Sequence, residues 1–124
     1  MTSRPTPPLP YYGGKIMLAP KITALFPDHE HYVEPYGGSL AVLLAKPRSA
    51  METVNDLDQD LMTFWRVCRD QPAELGRVCA LTPHSRAEHQ AAYERTDGLG
   101  DVERARRVWV QLTQGRAGLR KRTG

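Results

Sequence analysis

Tyr32-Val-Glu-Pro-Tyr-Gly-Gly-Ser-Leu-Ala-Val-Leu-Leu44, followed shortly by Thr53-Val-Asn-Asp-Leu-Asp58, decides the fold. A short apolar segment, Tyr32 to Glu34, stands directly before the adjacent glycines Gly37 and Gly38. Residues 39–46 are then nearly all apolar and stop at Pro47. This order predicts a buried parallel strand, a turn where backbone can approach a ligand closely, and a helix packed on the sheet. Glu52 to Asn55 predicts a second strand, which ends on Asp56. Strand, glycine turn, helix, strand and acid make up the front half of a nucleotide site in an α/β sheet.

Asp56 lies 22 positions after Glu34, close to the interval of about 20 at which an acid accepts hydrogen bonds from ribose hydroxyls. The other reading makes it a cap for the next helix, a role open to Asn55 and Asp58 as well. A dinucleotide site uses three spaced glycines to seat a pyrophosphate. Two adjacent glycines followed by Ser39-Leu40 point instead to a smaller nucleoside ligand than NAD, or to a purely structural turn. Lys15 follows Gly13-Gly14 and is a candidate for holding a carboxylate, or a solvated charge. Ile16 stands where a phosphate-binding loop needs Ser or Thr. The histidines His29, His31, His84 and His89 form no metal-ligand spacing with Cys68 and Cys79, so buried reduced thiols are expected. No nucleophile–base pair is visible.

At 124 residues, 40% hydrophobic and 25% charged, the chain is one folded domain or part of one. It contains no apolar run of the roughly 20 residues that cross a membrane. Met1 to Pro10 is proline-rich without an apolar centre, which predicts an extended arm rather than a secretory signal; a cytoplasmic location is expected. Tyr11-Tyr-Gly-Gly-Lys15 reads as a turn. Lys15 to Phe26 has helical spacing that Pro20 should kink or divide. After the second strand, Leu57, Leu61, Phe64 or Trp65, and Cys68 predict one face of an amphipathic helix, with Asp56, Asp58 and Asp60 around its N-terminus. Pro72 to Leu81 predicts a helix opened by proline. Ser85 and Glu88 form a capping box ahead of a helix through Tyr93, and Val102 to Leu112 predicts another. Residues 101–124 carry seven Lys and Arg against two Asp and Glu, whereas the first hundred carry ten against twelve. That basic end suits a polyanion such as DNA, or a solvated helix and tail. Two strands are too few for the core of an open α/β sheet, so further strands are hidden from this reading or the chain is incomplete.

Taken together, Pro10-Tyr-Tyr-Gly-Gly-Lys15, Tyr32-Val-Glu-Pro-Tyr-Gly-Gly-Ser39, and Asn55-Asp56 with Asp60-Leu61 resemble the Dam-like, D12-class DNA adenine methylases. The resemblance implies an α/β, Rossmann-like S-adenosylmethionine-dependent methyltransferase fold, incomplete, with a helical segment after the second strand. It also implies S-adenosyl-L-methionine as cofactor and double-stranded DNA as partner. By position, Tyr11 matches the aromatic against the cofactor and Lys15 the lysine near its methionine carboxylate. Glu34, Pro35, Tyr36, Gly37 and Gly38 match the turn around its methionine part, and Asp56 the ribose-binding acid. Tyr36 replaces the usual phenylalanine, and Leu40 stands where many members have a second turn glycine.

The resemblance divides the chain into an arm at 1–10, the N-terminal part of the cofactor-binding domain at 11–81, and the start of a helical, basic DNA-recognition segment at 82–124. Arg104, Arg106, Arg107, Arg120, Lys121 and Arg122 would touch phosphate there, or form a plain solvated face. Members end a later strand with Asp-Pro-Pro-Tyr, which binds the target adenine flipped out of the duplex. These 124 residues contain no such run. No catalytic residue and no metal ligand is therefore assigned, and the chain alone is expected not to transfer a methyl group. The alternative is a noncatalytic module binding S-adenosylmethionine or DNA beside a second chain that carries the catalytic motif. A nicotinamide-dependent oxidoreductase fragment fits the glycine spacing poorly.

Overall fold

The computed structural model describes residues 3–116 and 118–120, and the chain divides into two compact units, Met1–Leu57 and Asp58–Gly124. The functional boundary expected after residue 81 is a division of another kind, which packing does not decide.

In the first unit, residues 3–10 form neither helix nor strand, and Leu9 is buried. The Tyr11–Gly14 turn closes with the Gly14 amide donating to the Tyr11 carbonyl at 2.9 Å, with Gly13 at a φ of +75°. Helix α1 spans only Ala19–Thr23. Pro20 does not kink or divide it as expected, because it sits in the first turn, where a missing N–H costs nothing. Strand β1 (His31–Glu34) pairs in parallel with β2 (Met51–Val54), with His31 opposite Met51 and Glu34 opposite Val54. Two further backbone bonds carry the pairing into the glycine turn. The Asn55 amide donates to the Glu34 carbonyl at 2.9 Å and the Gly37 amide to the Asn55 carbonyl at 2.8 Å.

The strands are parallel as expected but β1 is not buried: His31 and Val33 face solvent, Val33 at 53% exposure. Parallel strands bury both faces only where helices cover both, and among the described residues the sheet stops at two strands. Helix α2 is Ala41–Ala45, shorter than the apolar run that encodes it. It packs on α1 and is tied to β1 by polar contacts. Lys46, just past its end, is buried and lies 4.7 Å from the centroid of the Tyr32 ring.

The second unit is helical: α3 (Gln59–Asp70), α4 (Pro72–Ala80), α5 (Arg86–Ala91) and α6 (Asp101–Gln114). Its two long helices, α3 and α6, form the main contact, and α4 and α5 pack on α6. Among the described residues, the buried apolar side chains are Leu61, Phe64 and Val67 of α3, Leu75 of α4, Ala92, and Ala105, Val108, Val110 and Leu112 of α6. Asp58 caps α3, its carboxylate accepting from the amides of Asp60 and Leu61. Pro72 opens α4, and Ser85 caps α5 by accepting from the Glu88 amide at 3.1 Å. Leu57, expected on the apolar face of α3, lies outside the helix and is 84% exposed, while Val67 takes a buried place that the spacing did not single out. Cys68 and Cys79 are free and half-buried rather than fully buried.

Candidate functional site

The strand-end turn and the N-terminal turn meet in the first unit. A cavity of about 270 Å³ is walled by Tyr11, Lys15, Tyr36, Gly37, Gly38 and Asp56, with Tyr12, Gly13, Gly14, Ser39 and Ala41 completing its lining. Six of the eight residues singled out for a cofactor are thus brought together from three separate stretches of sequence. Glu34 and Pro35 are not part of the wall.

Local chemistry explains how the wall is built. Asp56 leaves the end of β2 and its Oδ2 accepts the Gly38 amide at 3.0 Å, so the acid holds the turn as well as facing the cavity. Gly38 has a φ of +53°, and a Cβ on it would lie 2.9 Å from Cε1 of Tyr11. The glycine therefore lets the aromatic ring lie directly on the turn. Lys15 is exposed at the rim.

Glu34 has a role that the sequence did not reveal. Its Oε2 accepts from the Tyr32 hydroxyl at 3.1 Å and from the amide of Leu43, in the first turn of α2, at 3.2 Å. The glycine turn is thus locked to α2 by an internal carboxylate, which takes one of the free amides at that helix's N-terminus. Burial pushes the Glu34 carboxyl above its usual value, although both hydrogen bonds and the Lys15 charge pull the other way. The Tyr32 hydroxyl is likewise pushed up by burial and by the neighbouring Glu34.

A second cavity, about 410 Å³, lies among Pro5, Pro7, Ile16, Pro20, Ala41 and Ala45. Its polar lining is limited to Arg4, Thr6 and Thr23, and Arg4 donates to the Ala45 carbonyl while Thr23 donates to Pro20. Few convergent polar groups remain there for a ligand.

In the second unit the basic residues meet acids of their own chain. Arg104 donates to Asp60 Oδ1 at 2.9 Å. Arg106 pairs with Glu88 at 2.5 Å and Glu103 at 2.7 Å, and Arg107 pairs with Glu103 at 3.1 Å. Arg120 reaches Asp58 at 2.7 Å and Asp60 at 3.3 Å. Lys121 and Arg122 lie outside the described residues. The hydrogen bond from Arg106 holds Glu103 below the usual carboxylate range against the effect of burial. Burial alone would raise Asp60, but Arg104 and Arg120 together outweigh it and hold it low. Burial pushes the Cys79 thiol up to about 11, which makes it a poor nucleophile. Among the described residues no group of three or more His, Cys, Asp or Glu side chains could hold a metal ion, and no helix is long and apolar enough to cross a membrane.

Glycine turn, adjoining lysine and strand-end acid thus stand around one cavity beside the carboxyl ends of the two strands. Residues 11–110 match the D12 class N6 adenine-specific DNA methyltransferases, and the chain belongs to that family. Among curated proteins none matches it.

Proposed function

We propose that the first unit binds S-adenosylmethionine and that the chain serves N6-adenine methylation of DNA as the cofactor-binding part of the enzyme. The observation that carries this reading is the convergence of Tyr11, Lys15, Gly37, Gly38 and Asp56 on one cavity. Its residues suit the cofactor end by end. Asp56 offers a carboxylate to ribose hydroxyls, Tyr11 offers a ring face, and Lys15 offers a cation to a carboxylate. When bound, S-adenosylmethionine supplies an electrophilic methyl group on a sulfonium. The chain's own part is to orient that ligand against the turn.

Methyl transfer also needs groups that accept hydrogen bonds from the adenine amino nitrogen and stack the flipped base. The 124 residues carry no Asp-Pro-Pro-Tyr run, so on this reading those groups come from another polypeptide segment. Phosphate contact by the arginines of α6 rests on their charge. The internal ion pairs give Arg104, Arg106 and Arg107 a structural role beside it.

Calorimetric titration with S-adenosylmethionine tests the cofactor reading. Asp56→Asn can still accept the Gly38 amide but loses the carboxylate charge, and it should weaken binding about tenfold. A folded chain that gives no heat with S-adenosylmethionine, or that prefers NAD, would sink the reading. A labelled-cofactor assay on DNA tests the rest: methyl transfer by the 124 residues alone would refute the requirement for a further segment.

A further inference from the structure

We propose that the first unit carries a second ligand site, at the amino ends of its strands, for a zwitterionic α-amino acid with an apolar side chain. The site shares no residue with the cavity at the carboxyl ends and does not depend on the cofactor reading.

A cavity of about 250 Å³ lies between the segment leading from α1 into β1 and the corner leading from α2 into β2. The two sides are tied where the strands begin, by the Met51 amide donating to the Glu30 carbonyl at 2.9 Å. Each side brings a charge of its own sign. The first contributes Asp28 and the second Arg48, both exposed. The corner is held by the buried Lys46, whose ammonium donates to Ser49 Oγ at 2.6 Å. That bond occupies an acceptor site of the hydroxyl and leaves the Ser49 O–H to donate. On the other side, His29 Nδ1 lies 2.8 Å from the Pro27 carbonyl. A carbonyl only accepts, so Nδ1 carries the proton and the neutral ring presents Nε2 as an acceptor. Much of the remaining wall is apolar, with Phe26, Pro27 and Pro47.

Both signs of charge select the ligand. A simple anion drawn to Arg48 meets Asp28, and a simple cation drawn to Asp28 meets Arg48. A zwitterion satisfies both sides at once. Its carboxylate takes the Arg48 guanidinium and the Ser49 O–H, and its ammonium donates to Asp28 and His29 Nε2. The Phe26 and proline rings then receive an apolar side chain, in a cavity of amino-acid size.

The test compares three probes that share a side chain: phenylalanine, its amide, which lacks the carboxylate, and N-acetylphenylalanine, which lacks the ammonium. Each is titrated into the full chain by NMR, with the His29 ring protons as the local signal. Phenylalanine should bind with a Kd of about 1 mM, and the other two about tenfold more weakly. Arg48→Met should remove the preference for phenylalanine over its amide, and Asp28→Asn the preference over the acetylated form. Both substitutions are at exposed positions, and unchanged melting temperatures would show that both variants fold. Failure of phenylalanine to shift the His29 signals would overturn the proposal. So would equal binding of the three probes, or of phenylalanine and either derivative alone. Binding that neither substitution weakens would put the amino acid elsewhere, against Lys15 for example, and would overturn it too.

Discussion

At the scale of single residues, Leu40 is the least expected feature of the turn. It adopts a φ of +55°, a left-handed conformation that costs a side-chain-bearing residue about 1–2 kcal/mol. Its side chain is buried all the same, and its Cδ2 lies 2.6 Å from where a Cβ of Gly37 would be. Leu40 thus keeps the backbone that a second turn glycine would have, and fills the space that a side chain at 37 would need. The two positions should behave as a pair. Gly37→Ala alone should destabilise by about 1 kcal/mol through that contact, and most of the loss should vanish in a Leu40→Gly background. Denaturant melts of the two single variants and the double variant measure the coupling; strict additivity would refute it. The glycine turn, Lys15 and Asp56 were legible because each is a local signature at a known interval. The Glu34–Leu43 bond was not, since it depends on which way a side chain turns once the chain has folded back.

At the scale of elements, end signals were read more faithfully than registers. Pro72 and Ser85 each fix a helix start through bonds within a few residues, so α4 and α5 begin where the sequence says. The spacing predicts a face of Leu57, Leu61, Phe64 or Trp65, and Cys68 on α3; Leu61 and Phe64 are buried as expected, while Thr63 and Val67 complete the buried set in place of Leu57 and Cys68. A helical period tolerates both choices, and contact with α6 decides between them. Pro20 was misread because the same residue breaks a helix from inside and starts one from its first turn. Asp58 should matter most among the caps, since its carboxylate accepts two amides of α3 and also meets Arg120 at 2.7 Å. Asp58→Ala should cost about 1–2 kcal/mol, against about 1 kcal/mol for Ser85→Ala, as read from urea midpoints.

At the scale of the whole molecule, four arginines of the positive C-terminal stretch, read in sequence as suited to a polyanion, are paired within their own unit. Asp58, Asp60, Glu88 and Glu103 meet Arg104, Arg106, Arg107 and Arg120. Charge counting along the sequence could not show this, because the acids lie up to 62 positions from their partners, as Asp58 does from Arg120. Arg106→Ala should therefore cost about 2 kcal/mol of stability, by leaving Glu88 half-buried without its partner and Glu103 with Arg107 alone. It should show more in melting temperature than in the salt dependence of DNA binding; a reduced salt slope with unchanged melting would reverse that assignment. Asp60 and Glu103 have folded values below their unfolded ones of 3.8 and 4.5. Their contribution is complete above those values and lost as pH falls through the folded ones, so this unit should weaken from about pH 4 downward. Glu34 has the opposite sign. Its raised value makes the charged form a cost at neutral pH, a cost that fades as pH falls through the folded value toward 4.5. Glu34→Gln should accordingly be neutral or slightly stabilising at pH 7, with its advantage gone near pH 4.

Lys46 closes the corner between α2 and β2 with its ammonium donating to Pro47 O, Ser49 Oγ and Glu52 Oε1 at 2.7, 2.6 and 3.1 Å. An ammonium has three protons, and all three are occupied here, on a side chain that is 1% exposed. Amine-directed labelling reagents should therefore modify Lys15 and Lys21 quickly in the native chain and leave Lys46 untouched until that corner opens. The lysine is a built-in clock for the opening of the first unit, readable by mass spectrometry without any engineered probe.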